Sequence, residues 1–192
     1  MPADLSGQHR RDLPDGVLMR PLVTEDAEAL AAANTANRAH LKPWEPVRPE
    51  SYFTPGGQAL RIAGLLRQRA EGSAFPWVFE APDGRIAGVI NLTGVARGPF
   101  LSSYLGYWVA ADRINRGLAG AAVEAVCGIA RDSLGLHRVE AATLIGNTAS
   151  QRVLVKSGFE PIGLAPRYLH IDGAWRDCKL FQRVLHDHDP QL

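Results

Sequence analysis

Two cysteines in 192 residues, Cys127 and Cys178, exclude a disulfide framework, and neither sits in the CxxC or Cys/His spacing of a metal or redox site. Both read as reduced thiols, and no metal is expected. No apolar run approaches the roughly 20 residues that span a bilayer, and residues 1–16 carry His9, Arg10, Arg11 and Asp12 where a signal peptide would have its apolar core. A cytoplasmic location with no membrane partner is expected. Charge of one sign is lacking as well: 21 Lys and Arg against 20 Asp and Glu give +1, so no global field draws the chain to nucleic acid or anionic lipid. Any anionic ligand must be met by a local site. GxGxxG and the Gly-Lys-Ser/Thr loop are both missing, which removes the dinucleotide and P-loop readings.

What is present is an ordinary globular composition, 46% apolar and 21% charged, in a length that suits one packed domain. The expected organisation is a flexible arm over 1–15, a domain over 16–186 and a tail over 187–192. Val17 to Leu22 reads as a strand, and Thr24 with Glu25 and Asp26 caps an Ala-rich helix over 27–36. Residues 41–55 hold four prolines beside Trp44, Tyr52 and Phe53 and read as an aromatic loop. Gln58 to Ala70 returns to helical spacing. Strands follow over 77–81, 86–95 and 101–109, then a helix over 117–134 with Leu118, Ala122, Ala125, Val126 and Ile129 on one face. A strand over 139–145, a helix over 148–157 and a hairpin of strands at 167–171 and 175–184 complete the order.

The chemically informative junction is Gly106-Tyr107-Trp108-Val109, a strand, leading through Ala110 to Asn115 into the helix that opens at Gly117. A glycine there lets backbone approach a ligand, and the unpaired amides of a first helical turn, with the helix dipole, suit a pyrophosphate. Arg113 and Arg116 can add positive charge. Alone, this is also what any strand-to-helix turn containing glycine looks like.

Two further blocks follow in order: Leu136-His137-Arg138-Val139-Glu140-Ala141, and Asn147-Thr148-Ala149-Ser150 through Lys156-Ser157-Gly158-Phe159. Together with Gly106 to Val109 and Ile114 to Ala119 they resemble the GCN5-related N-acetyltransferases. The stretches around Lys42-Pro43-Trp44-Glu45-Pro46 and Arg167 to Asp177 are similar to the RimJ/RimL-type, ribosomal-protein-alanine branch, and the resemblance covers about residues 16 to 186. It implies an α/β (α+β) fold: a single domain whose mixed, mostly antiparallel sheet of about seven strands is splayed at the cofactor site and flanked by about four helices.

It also implies acetyl-coenzyme A as co-substrate. Tyr107, Trp108 and Val109 would hold pantetheine by their backbone, and Asn115, Arg116, Gly117, Leu118 and Ala119 the pyrophosphate. Asn147 and Ser150 would meet the cofactor from the other side. Amides of Val109 or Ala110 would stabilise the oxyanion, and Trp44 and Glu45 would contact the acceptor. Two positions depart from the family pattern. Ile114 stands at the first position of the Gln/Arg-x-x-Gly-x-Gly/Ala signature, and Leu154 stands seven residues after Asn147, where many members place a tyrosine acid. Ser150 is then the candidate acid.

An attacking amine must lose a proton, so a carboxylate or histidine should lie within reach. Glu140 is the first candidate, with partnership to Arg138 as its other reading; Glu124, His137 and His170 are weaker. The expected activity is direct acetyl transfer to an amine, foremost the N-terminal α-amine of a protein or peptide such as a ribosomal protein. The alternatives are a small-molecule amine (antibiotic, polyamine or peptide natural product) and a catalytically silent acyl-CoA-binding regulator. Monomer and homodimer are both compatible with the sequence, and no direct nucleic-acid partner is expected.

Overall fold

The computed structural model describes residues 9–188. Their elements run β1 (Arg11–Asp12), β2 (Leu18–Pro21), α1 (Ala27–Ala36), α2 (Arg38–Leu41), α3 (Pro55–Ala70), β3 (Phe75–Glu80), β4 (Ile86–Ala96), β5 (Ser102–Val109), α4 (Leu118–Asp132), β6 (Arg138–Leu144), α5 (Thr148–Lys156), β7 (Glu160–Ile171) and β8 (Ala174–Val184). The strands form one sheet in the order β1-β2-β3-β4-β5-β6-β8-β7. All neighbours are antiparallel except β5 and β6, which are parallel.

Apolar residues on both faces of the central strands bury the sheet between two helical layers. On one side Leu118, Ala122, Val126 and Ile129 of α4 and Leu154 of α5 pack against Trp77, Phe79, Ile90, Leu105 and Val139. These α4 residues recur every three or four positions, the spacing of one helix face. On the other side Leu30 of α1 and Ile62 of α3 cover Val78, Ile86 and Val89. The entry into α1 is fixed by Asp26, which is buried, accepts a hydrogen bond from the Val23 amide at 2.9 Å and pairs with Arg20 at 2.6 Å. Arg20 in turn reaches Glu80 on β3.

The structure departs from expectation at three places. Residues 9–15, expected to belong to a flexible arm, are built into the fold: β1 pairs with β2, Leu13 is buried, and His9 is buried with its ring 6.0 Å from that of Trp77. The apolar surface of Trp77 and its neighbours is the reason, since it is covered only when this segment lies across it; residues 1–8 and 189–192 lie outside the described residues. Among the described residues the sheet accordingly has eight strands where about seven were expected, and the short α2 brings the helices to five where about four were expected. Strand β7 begins at Glu160, not Arg167, because Pro161, Gly163 and Pro166 sit on an edge strand where a missing N–H costs no ladder bond. Two register shifts absorb them.

Gly88 on β4 tests the packing beside β5. A Cβ there would lie 2.4 Å from the Trp108 carbonyl oxygen and 2.6 Å from Phe79 Cδ2. Gly88→Ala is expected to destabilise the domain by about 1–3 kcal/mol, the cost of overpacking. Thermal unfolding should show this as a drop of several degrees, and an unchanged midpoint would mean that β4 and β5 are not held this closely.

Candidate active site

Strands β5 and β6 pair at only three positions, Ser102 with Arg138, Ser103 with Val139 and Tyr104 with Glu140. Beyond them the strands part, so the second half of β5 has a partner on the β4 side alone. The Ala110 amide donates to the Ala87 carbonyl at 2.8 Å. Successive strand residues alternate in direction, which turns the Val109 amide toward the gap. Of the two amides expected to serve an oxyanion, Val109's is therefore available and Ala110's is committed to β4.

A cleft of ≈ 840 Å³ opens along this parting. Its wall contains Tyr107, Trp108 and Val109, then Asn115, Gly117, Leu118 and Ala119, then Asn147 and Ser150, and also Trp44 and Glu45. Every residue expected to bind cofactor or acceptor lines this one space, with the exception of Arg116. That side chain turns out to Asp15, 3.3 Å away. Arg113, Arg152 and Lys156 supply the positive charge instead. The last two went unrecognised in the sequence, although Ala149, Arg152, Val153 and Lys156 repeat at the three-and-four spacing of the helix face that carries the Asn147-Ser150 block.

The loop before α4 is shaped for an anion. Asn115 and Gly117 both have positive φ, +61° and +80°, and alternate with ordinary residues. That alternation turns successive amides to one side, a nest that favours negative charge. The first internal bond of α4 is the one from the Ala121 amide to the Gly117 carbonyl, 3.0 Å. The amides of Leu118, Ala119 and Gly120 precede it and are free of that ladder. Ile114 lies in the cleft wall and is 45% exposed. The residues present fit a pyrophosphate bound through main chain.

Asn147 caps α5, its Oδ1 accepting from the Ser150 amide at 3.1 Å. The Ser150 hydroxyl meets the Tyr107 hydroxyl at 2.9 Å, across the parting of the strands. Burial pushes the Tyr107 phenol up to about 12, although its bond to Ser150 works the other way, so this hydroxyl stays protonated at any physiological pH. Leu154 is fully buried in the core. The hydroxyl pair on the cleft wall is thus Tyr107 with Ser150. The side chain of Tyr107, a residue valued in the sequence only for its backbone, makes a contact with Ser150 that sequence spacing could not reveal.

Glu140 is not brought to this wall. Its carboxylate pairs with Arg138 at 2.8 Å, and it sits at the last paired position of β6, on the sheet face opposite Val139 and Ala141. The weaker base candidates are also engaged elsewhere. Glu124 pairs with Arg183 at 2.8 Å, His137 Nδ1 contacts the His186 carbonyl at 2.5 Å, and His170 packs edge-on against Trp175. Cys127 and Cys178 are both buried and free.

A family model described as Acetyltransferase (GNAT) domain matches residues 17–160. The chain belongs to the GNAT acetyltransferases. This GNAT enzyme is 36% identical over 177 residues to the ribosomal protein uS5-alanine N-acetyltransferase of Escherichia coli (strain K12), covering 92% of its own length and 91% of that protein. Among solved structures it superposes with a TM-score of 0.90 and 30% identity on the ribosomal-protein-S5-alanine acetyltransferase of Vibrio fischeri, covering 94% of this chain and 99% of that one. The RimJ of Mycobacterium smegmatis in complex with CoA-disulfide gives a TM-score of 0.85 at 34% identity, with coverage of 91% and 85%. Acetyl-coenzyme A is the co-substrate that membership implies.

The nest can be tested directly. Gly117→Ala places a Cβ in open space, only Pro14 Cγ lying within 4 Å, so its whole effect comes from a φ of +80°. Strain of about 1–2 kcal/mol should turn the amides away and weaken coenzyme A binding about tenfold. Titration calorimetry measures it, and wild-type affinity would remove Gly117 from the grip.

Proposed function

We propose that this acetyltransferase transfers acetyl to the α-amine at the amino terminus of a protein, a ribosomal protein being the acceptor its relatives suggest. One observation carries the reading. The amide nest, the Tyr107–Ser150 pair and the Trp44–Glu45 loop line a single cleft, so cofactor and acceptor elements open on one space.

In this reading Asn115 to Gly120 hold the pyrophosphate, with Arg113, Arg152 and Lys156 offsetting further phosphate charge. The unpaired edge of β5 hydrogen-bonds the pantetheine chain. The Val109 amide points to the oxygen where negative charge develops during attack. Tyr107 donates to Ser150 Oγ, which leaves the Ser150 O–H to point at the sulfur. Neither hydroxyl surrenders its proton for good, since Tyr107 lies near 12 and a thiol near about 8.5. The hydroxyls stabilise the sulfur while the C–S bond breaks, and the proton the amine sheds on acylation ends on the thiol. Trp44, 39% exposed, and Glu45 give the incoming ammonium a ring face and a carboxylate.

Thiol release with a panel of peptides tests the function. Peptides with a free N-terminal amine should be acetylated, and the same peptides with a blocked amino terminus and a free lysine should not. Tyr107→Phe and Ser150→Ala should each lower kcat by about ten- to a hundredfold, the usual span of one proton-handling group or slightly less. Together they should lose little more than either alone. The rate should rise with pH through about 8, where the α-amine loses its proton, and stay level up to about pH 10 in both wild type and Tyr107→Phe. No release with any peptide would sink the proposal.

A further inference from the structure

Beside the main cleft lies a second, smaller cavity of ≈ 110 Å³, enclosed by the end of α1, α2, the 42–53 loop and the β7–β8 turn. Leu41 and Glu45 line both spaces and form the partition between them. The cavity is of a size for one short side chain. Asn34, 3% exposed, places a polar side chain in its wall. Arg48 Nε is buried without a hydrogen-bond partner, because the Glu45 carboxylate stands 3.5 Å off in poor geometry. Buried polar groups in folded proteins are satisfied as a rule, and an exception such as Arg48 Nε is a place where an acceptor can bind.

The unmet Nε is a donor. Arg48 also stacks on Tyr52 at 4.6 Å, which holds its guanidinium in place from the other side. Lys42, exposed at the mouth, has no ion-pair partner among the described residues, whereas Arg38 is taken by Glu50. Carboxylates are present too. Glu45 faces Arg48 from the partition, and Asp172 is exposed at the mouth, where its amide donates to the Glu45 carbonyl at 3.0 Å. That amide contact ties the β7–β8 turn to the loop and keeps the cavity's shape.

We infer that this side cavity is a specificity subsite for the acceptor polypeptide, taking a carboxylate side chain from one of the residues that follow the acetylated amino terminus. The inference rests on the reading that the acceptor is a protein amino terminus. A chain whose amine is met by Glu45 in the main cleft has the side chains of its next few residues beside the Leu41–Glu45 partition, since an extended residue spans about 3.3 Å. Its carboxylate oxygens would receive Asn34 Nδ2 and Arg48 Nε, with Lys42 closing the mouth. Glu45, released from Arg48, would turn its own charge to the substrate ammonium in the main cleft.

Acceptor peptides identical except for Glu, Gln, Ala or Lys at positions 2, 3 and 4 test this through KM measured by thiol release. At one of these positions Glu should give a KM about tenfold below Ala, the worth of one charge-assisted hydrogen bond at a partly wet site, and Lys should be poorer than Ala. Asn34→Ala and Arg48→Met should each raise the KM of the Glu peptide toward that of the Ala peptide, with circular dichroism reporting the fold. Equal KM for all four residues at every position overturns the subsite, as does a Glu preference that survives both variants or one equalled by Gln. Failure of every peptide to release thiol overturns instead the amino-terminal reading beneath it, and the subsite falls with it.

Discussion

The parting of β5 from β6 is the constraint on which the rest of this molecule depends. Two parallel strands that meet at three positions and then separate leave a row of backbone donors and acceptors without a ladder partner in the middle of a sheet. Such groups are expensive to bury unsatisfied and are retained where a ligand supplies the missing bonds. The gap has to be held open from outside. On the β5 side the strand is fixed by its long antiparallel register with β4, in which Gly88 lets Trp108 and Phe79 close in. On the β6 side seven consecutive pairs with β8 hold the strand to the second half of the sheet. The Tyr107–Ser150 hydrogen bond is one of the few direct contacts that cross the parting.

The same arrangement explains how a chain with almost no net charge prepares for a highly anionic co-substrate. Its positive groups are placed locally and are of two kinds: the amides of the nest and first turn of α4, and the side chains of Arg113, Arg152 and Lys156, on the wall of one cleft. An anionic group there meets fixed dipoles as well as mobile charges. Loss of one side-chain contact at Ile114 is tolerable for this reason, since the dipoles come from backbone geometry and survive any residue that keeps the turn.

Much of this was legible in the sequence because it rests on local rules. The helix over 27–36 and the cofactor helix follow from apolar spacing, although Thr24, expected to cap the first, gives its hydroxyl to Glu25 and neither helix has a side-chain cap; the loop at Gly117 follows from the backbone freedom its φ demands. What escaped depends on contacts made across the fold. His9 and Leu13 look like arm residues until Trp77 is placed beneath the first of them. Arg116 lies within the nest, yet its side chain points away because Asp15 arrives from a distant part of the chain. Glu140 alternates to the face of β6 away from Ala141, and its neighbour Arg138 claims it. The Tyr107 hydroxyl acquires a chemical context only when a residue 43 positions later crosses the gap. In each case sequence spacing fixes which face a side chain takes, and only tertiary packing fixes what it meets there.

The sparse acid–base equipment of the cleft is itself informative about the acceptor. Among the described residues, Glu45 and His40 are the only carboxylate and imidazole on the cleft wall, and the Tyr107 hydroxyl holds its proton. A site of this kind cannot pull a proton from a strongly basic amine. It must recruit the fraction that is already neutral. For an α-amine near pKa 8 that fraction at neutral pH is about one in ten, and for a lysine near 10.4 it is roughly 250-fold smaller. On the proposed reading, this difference in neutral fraction favours an amino terminus over a lysine side chain without a strong base in the cleft.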